Sequence, residues 1–376
     1  MRISLETDQD IKDFVRGCTF MGTGGGGLPE DGIRWLTSAR DDGHTIAWVD
    51  GSDVPDDEYT VCPFLMGSIA PVTEETKKRM ARFGLIEEKY KSIQAEAVKL
   101  LEKYMNVKTN VIVPIELGGG NTAGAVAAAA RLGILAVDGD YTGRAIPEIP
   151  QTTPYLAGLP MWPISSTDRY GNHAIIEQSV GYEMVERMGK YIAAASFGLT
   201  GQAGFLIKGS EMKKVLIPGT LTKCLEIGRK IQVARKSGRD PVRDVIGYLN
   251  GWLLFEGKVT SKEPEDREDY FCGINTISGT KDFAGKEMKI WFKNENHISW
   301  IDNKPYVTSP DMIIVVERQT GEPLTNTVIS AGQNVAVIGL KAIEQFRSPK
   351  GLGILGPKHF DFDIEYKPIE RIVKSR

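Results

Sequence analysis

The chain has 376 residues, 41 of them glycine where the usual share is roughly 7%, with 46 basic residues set against 49 acidic ones. That length exceeds what one hydrophobic core usually fills, so two domains are expected. A net charge of −3 without a long basic run argues against nucleic acid or an anionic membrane as main partner, and the lack of a G-x-y period excludes collagen.

The N-terminus turns acidic at once (Glu6, Asp8) and shows no apolar signal core. Thr7-Asp8-Gln9-Asp10 reads as a helix cap, after which Ile11, Phe14, Val15 and Cys18 share one helical face. This helix runs into Gly22-Thr23-Gly24-Gly25-Gly26-Gly27, and Pro29 opens a second helix that ends near Gly43. Residues 45–49 and 60–66 read as strands, the second entering a Gly67-Ser68 turn. Ile93, Ala97, Leu100, Leu101 and Tyr104 form an amphipathic helical stripe. An apolar strand at 111–115 ends in Glu116-Leu117-Gly118-Gly119-Gly120-Asn121. A small-residue helix (123–132) and a strand (134–137) follow, the strand ending in Asp138-Gly139-Asp140. Strand, glycine turn, helix, strand is the rhythm of a parallel sheet, whose ligands gather beyond the carboxyl ends of the strands. The weakly polar stretch 123–137 contains Arg131 and falls short of the roughly 20 residues of a membrane span.

Residues 151–168 are rich in Pro, Ser and Thr and read as a crossover. Helices are expected at 183–197 and 220–236. From Trp252 onward β signals dominate, at 273–278, 287–292, 297–301, 312–317 and 334–338, with tight turns at 301–304 and 320–323. The expected fold is a three-layer α/β domain with a mostly parallel sheet over residues 1–168, completed by the tail 346–376. A smaller β-rich domain takes 169–345.

The 22–27 loop offers backbone N–H groups at a helix start, which suits an anion. It is not a P-loop, since no Lys-Ser or Lys-Thr follows, nor a Rossmann fingerprint, since a helix precedes it. A flexible or close-packed loop is the plain alternative. Gly24, Gly25, Gly26, Gly118, Gly119, Gly120 and Asn121 are the substrate-binding candidates, with Asn121 as a helix cap the other reading. Glu116, at a strand end, fits a base, a metal ligand, or a carboxylate held by neighbouring N–H groups. Asp138, Asp140, Arg144 and Glu148 concentrate charge at one sheet edge. The three carboxylates are acid/base candidates and Arg144 a grip for a substrate carboxylate, while a salt-bridge network fits the same residues.

The four histidines show no zinc spacing. Asp138 and Asp140 with the distant His173 are the candidate ligands for a divalent metal such as Zn2+. No G-x-S-x-G nucleophile elbow occurs. Four scattered cysteines without C-x-x-C read as reduced, buried thiols of a cytoplasmic protein. Asn294-Glu295-Asn296 reads as a solvated β-turn, with a reach into the cleft as the alternative.

The two glycine clusters, Asp138-x-Asp140-x-x-Gly143-Arg144-Ala145-x-Pro147-Glu148, Thr320-Gly321-Glu322-Pro323 and Gly356-Pro357 occur in that order. Together they resemble the S-methyl-thiohydantoin desulfurase family over nearly the whole chain. The resemblance implies a two-domain α/β architecture and action on five-membered cyclic imides. Some members are linked to removing sulfur from thiohydantoins, and others accompany hydantoinase- or oxoprolinase-type proteins. The leading expectation is a hydrolase or desulfurase for a hydantoin- or thiohydantoin-like ring. The alternative is a non-catalytic ligand- or nucleotide-binding subunit of a hydantoinase/oxoprolinase-type complex. A homo-oligomer is expected. Lys358-His359 departs from the family's Arg-Ala, so no role passes to His359.

Overall fold

The cap at the first helix forms as its sequence dictates. The Thr7 hydroxyl accepts the Asp10 N–H and the Asp10 carboxylate accepts the Thr7 N–H, both at 3.1 Å, which starts the Asp8–Met21 helix. The computed structural model describes residues 2–67, 73–267 and 270–373, so Ser68 of the expected turn lies outside the described residues.

The first sheet has eight strands in the order Arg2–Ser4, Ala47–Val49, Leu135–Val137, Val111–Ile112, Tyr59–Gly67, Leu199–Lys208, Ile164–Thr167 and His173–Ile176. Ala47–Val49 through Tyr59–Gly67 in that order form the parallel block, and the remaining neighbours pair antiparallel. Alternate residues feed two cores, as the strand period of two requires. Ile112 faces the helices Asp8–Met21, Pro29–Asp41, Ile93–Met105, Asn121–Leu132 and Thr220–Lys236, whereas Val111 and Val113 face Tyr182–Ala195 and Gly209–Val215. The result is a three-layer α/β unit.

The second sheet is antiparallel, with seven strands in the order Lys304–Thr308, Glu295–Ile301, Glu287–Lys293, Tyr270–Gly279, Trp252–Arg267, Asn334–Leu340 and Met312–Glu317. The turn at Asp302 and Asn303 forms with positive φ at both residues (49° and 62°), the geometry a two-residue hairpin loop needs. Met312, Ile314 and Val316 pack into the core of the first domain's helices, while Ile313 and Val315 face the second sheet's own core. Each such side chain contributes roughly 1.5–3 kcal/mol on full burial, so the domain junction is cemented by apolar contact.

Two parts of the chain lie elsewhere than the sequence suggests. His173–Ile176 and Leu199–Lys208 belong to the first sheet, and the second sheet begins only at Trp252. The sequence of Leu199–Lys208 mixes glycine with apolar residues and lacks alternation, because the strand is buried on both faces. The tail packs Phe346, Leu355 and Phe360 with Trp291 and Ile298 of the second sheet, and touches the first domain through the Gln151 side chain on Ile354 O. Among the described residues, no helix is long and apolar enough to cross a membrane.

Candidate active site

The two glycine clusters meet and interlock. Gly26 O accepts the N–H groups of Gly120 (3.1 Å) and Asn121 (3.0 Å), and a methyl group on Gly26 would lie 2.5 Å from Gly118 Cα. Gly26 also has φ +78°, so glycine is required twice over. Gly118 N–H donates to Thr122 Oγ1 (2.7 Å), Gly25 N–H to Gly22 O (2.9 Å) and Gly26 N–H to Glu295 Oε1 (3.2 Å). Gly24 O receives Asn326 N–H, and Gly119 packs on Thr19 and Pro29. The N–H groups expected to cradle an anion at Gly25, Gly26, Gly118 and Gly120 are therefore committed to holding the loops together. This is the close-packed alternative.

Beneath the clasp lies a buried charged layer. Glu116 is 5% exposed, and its two carboxylate oxygens accept from Asn121 Nδ2 and from Ile146 N–H, both at 2.8 Å. Asn121 is the first residue of its helix, not its cap, and its Oδ1 accepts the Leu65 N–H. Burial pushes the Glu116 pKa up to about 7 against those two hydrogen bonds, with the charge of Asp140 adding to the rise. Asp140 accepts from Thr142 N–H, Thr142 Oγ1 and Gly143 N–H, and burial raises it to about 6 despite them. Arg144 is 1% exposed and donates to Ala145 O, Pro310 O, Thr23 Oγ1 and Asn296 O. It ties the first glycine loop to the second sheet. Burial lowers its pKa to about 10, partly offset by the charges of Glu295, Asp311 and Glu116.

At the rim of this layer the carboxylates behave differently. Glu148 pairs with Lys293 and with His359 Nε2 (2.8 Å). Burial alone would raise its pKa, but the His359 hydrogen bond and the Lys293 charge outweigh it and hold it at about 2. Glu148, Glu183, Glu186, Arg187, Lys190 and Tyr270 line a cavity of about 330 Å3. Lys190 and Lys293 place their ammonium groups 3.0 Å and 3.9 Å from the Tyr270 ring centre. Ile146 holds Glu116, and Glu148, two residues further on, lines the cavity, whose lining does not include Glu116 itself.

These features can be set beside known proteins. Residues 9–178 match the S-Me-THD-like N-terminal domain, and residues 180–369 match the S-Me-THD-like C-terminal domain. The chain belongs to the S-Me-THD-like family. A crystal structure of a protein from Chromobacterium violaceum, a structural genomics target, shares the fold with a TM-score of 0.78 at 20% identity, covering 98% of this chain and 100% of that one. No curated protein matches the chain.

Within this S-Me-THD-like fold, the expected site residues divide. Gly24–Gly26, Glu116, Gly118–Gly120, Asn121, Asp140 and Arg144 come together at the junction, and Glu148 sits at its rim. Asp138 turns away, accepting Thr222 N–H (2.9 Å) and Thr222 Oγ1 (2.5 Å) at the start of the Thr220–Lys236 helix. His173 is exposed, stacks with Tyr90 and lines a separate cavity of about 600 Å3 with Arg79, Phe83 and Phe197. The candidate metal ligands Asp138, Asp140 and His173 therefore do not converge. Among the described residues, no group of three or more His, Cys, Asp or Glu side chains is placed to hold a metal ion. Arg144 directs four of its five N–H groups to the protein's own oxygens.

Four further residues join this junction: Glu295 and Asn296, whose reach into the cleft was the alternative to a solvated turn, and Lys293 and His359, which carried no expected role. Glu295 and Asn296 are not a solvated turn but the buried start of the Glu295–Ile301 strand, 2% and 0% exposed. Asn296 N–H donates to Thr23 O (2.8 Å), so this strand end grips the glycine loop. The alternation His297, Ile298, Ser299, Trp300 marks the strand, but Glu295 and Asn296 are both polar and carry no alternating signal for its earlier start.

Proposed function

We propose that this protein is a hydrolase or desulfurase acting on a hydantoin- or thiohydantoin-like five-membered ring. The observation that carries the reading is Glu116, a buried carboxyl four residues beyond the parallel Val111–Ile112 strand, whose pKa of about 7 leaves both protonation states populated at neutral pH. Membership of the S-Me-THD-like family favours this ring class, and the cavity of about 330 Å3 lined by Glu148, two residues beyond the Ile146 that holds Glu116, has room for one such ring. Water attacks the ring carbon that carries sulfur or oxygen, and the Glu116 carboxylate takes its proton. Asp140 holds the 142–143 turn, and Arg144 fixes the junction between the domains. The test is to incubate purified protein with thiohydantoin and hydantoin acids while following ring absorbance and the release of sulfide or thiol. Turnover that disappears in Glu116→Gln is expected. No turnover of any such ring would remove the reading.

A further inference from the structure

We propose that Glu295 is the proton donor to the leaving atom, working opposite Glu116, an inference that rests on the ring-cleaving reading above. The Glu295–Ile301 strand of the second domain drives Glu295 into the glycine loop of the first. A methyl group on Gly25 would overlap the Glu295 carboxyl, so glycine at that position admits it. Oε1 accepts the Gly26 N–H at 3.2 Å, while Oε2 is buried without a hydrogen-bond partner among the described residues. An ionised oxygen left bare in the interior costs several kcal/mol, on the order of 2–7 even for a neutral polar group, so the carboxyl is held as the acid. Its one unmatched hydrogen is then a donor without an acceptor inside the protein.

The surroundings support that state. Burial and the charge of Glu116 together lift Glu295 well above the usual carboxylate range, with Arg144 opposing them. Gly26 packs directly on Leu117 and Gly118, the residues after Glu116, which brings the two carboxyls within electrostatic reach. No other nearby carboxyl suits the task. Asp140 also has one buried oxygen without a partner, but its other oxygen takes three donors from residues 142 and 143, which favour the ionised form, whereas Glu295 takes one; Glu148 is kept ionised by Lys293 and His359.

In the step itself, the water oxygen bonds to the ring carbon and its proton passes to Glu116. The Glu295 proton passes to the departing nitrogen or sulfur as that atom's bond to carbon breaks, the electron pair staying with the departing atom. Transfer of the proton from Glu116 to Glu295 through solvent restores the pair, and one water is consumed for each bond cleaved.

Glu295→Gln keeps the volume and the acceptor for the Gly26 N–H while removing the acidic proton. A nitrogen leaving group depends on that proton far more than a stable thiolate does. The variant should lose at least about 100-fold in kcat for hydantoin opening, but only about tenfold for methanethiol loss from an S-methyl-thiohydantoin. Equal losses on both rings, or none on either, would overturn the assignment. A wild type that turns over neither ring removes the reading of the function, and this inference with it. One measurement is independent of turnover. Infrared difference spectra of wild type against Glu295→Gln, at a pH above the Glu116 value, should show the carbonyl band of a protonated carboxylic acid in the wild type alone. Its absence there would overturn the proposal whatever the kinetics show.

Discussion

Glu116 and Glu148 lie on either side of one short segment, yet their surroundings drive them in opposite directions. Glu116 has two neutral N–H donors and sits near other carboxyls in the interior, so burial wins and its pKa climbs to about 7. Glu148 has a hydrogen bond to His359 and the Lys293 ammonium at the rim of a cavity, so pairing wins and its pKa falls to about 2. A carboxylate's chemistry here is thus set by the charge of what it touches more than by how deeply it lies. The inner carboxyls gain and lose protons near neutral pH, whereas the rim carboxylate stays ionised. This contrast leaves the inner layer able to exchange protons near neutral pH and makes the rim a latch between the domains.

The contrast can be tested most severely at Arg144. Replacing it by Met strips a buried cation from a layer of carboxyls and orphans four oxygens, so a loss of about 3–5 kcal/mol in denaturant unfolding is expected. Unchanged unfolding would mean that the inner layer does not depend on its arginine. Glu116→Gln should fold but lower kcat by roughly 10²–10⁴ and abolish the pH limb near 7. A pH profile that keeps this limb would move the base elsewhere.

Stability against pH separates the regions next. Because Glu116 and Asp140 bind protons more tightly folded than unfolded, their contribution is complete below about pH 4 and is lost as pH rises towards 7, on the order of 3 kcal/mol for Glu116 alone. Glu148 works the other way. Its contribution is present above its ordinary value of 4.5 and is lost as pH falls towards 2. Glu116→Gln should flatten the first slope and Glu148→Gln the second, as read by urea unfolding across pH. The smallest effect is expected at Asp138→Asn, which weakens a helix-start contact by about 1 kcal/mol and leaves turnover unchanged. A large loss of activity there would return Asp138 to the site.

Much of the fold was legible because its periods are local. The Met312–Glu317 strand and the Thr220–Lys236 helix have the limits their patterns imply, and both glycine clusters do mark the junction. The role of those glycines was not legible, because a sequence cannot tell an N–H group that faces a ligand from one that faces another loop. Leu199–Lys208 gave no alternation to read, since both of its faces are covered.

The amino-acid sequence alone determined that this is an α/β protein whose strand-end carboxylates and glycines gather at one place, because hydrophobic period and turn chemistry act over a few residues. Only the tertiary structure decided which carboxylates share the buried junction. It turned Asp138 to Thr222, spent Arg144 on backbone oxygens, and inserted Glu295 from 179 positions beyond Glu116. Burial and partner charge depend on what distant segments bring alongside, and those two quantities set whether a carboxyl holds its proton.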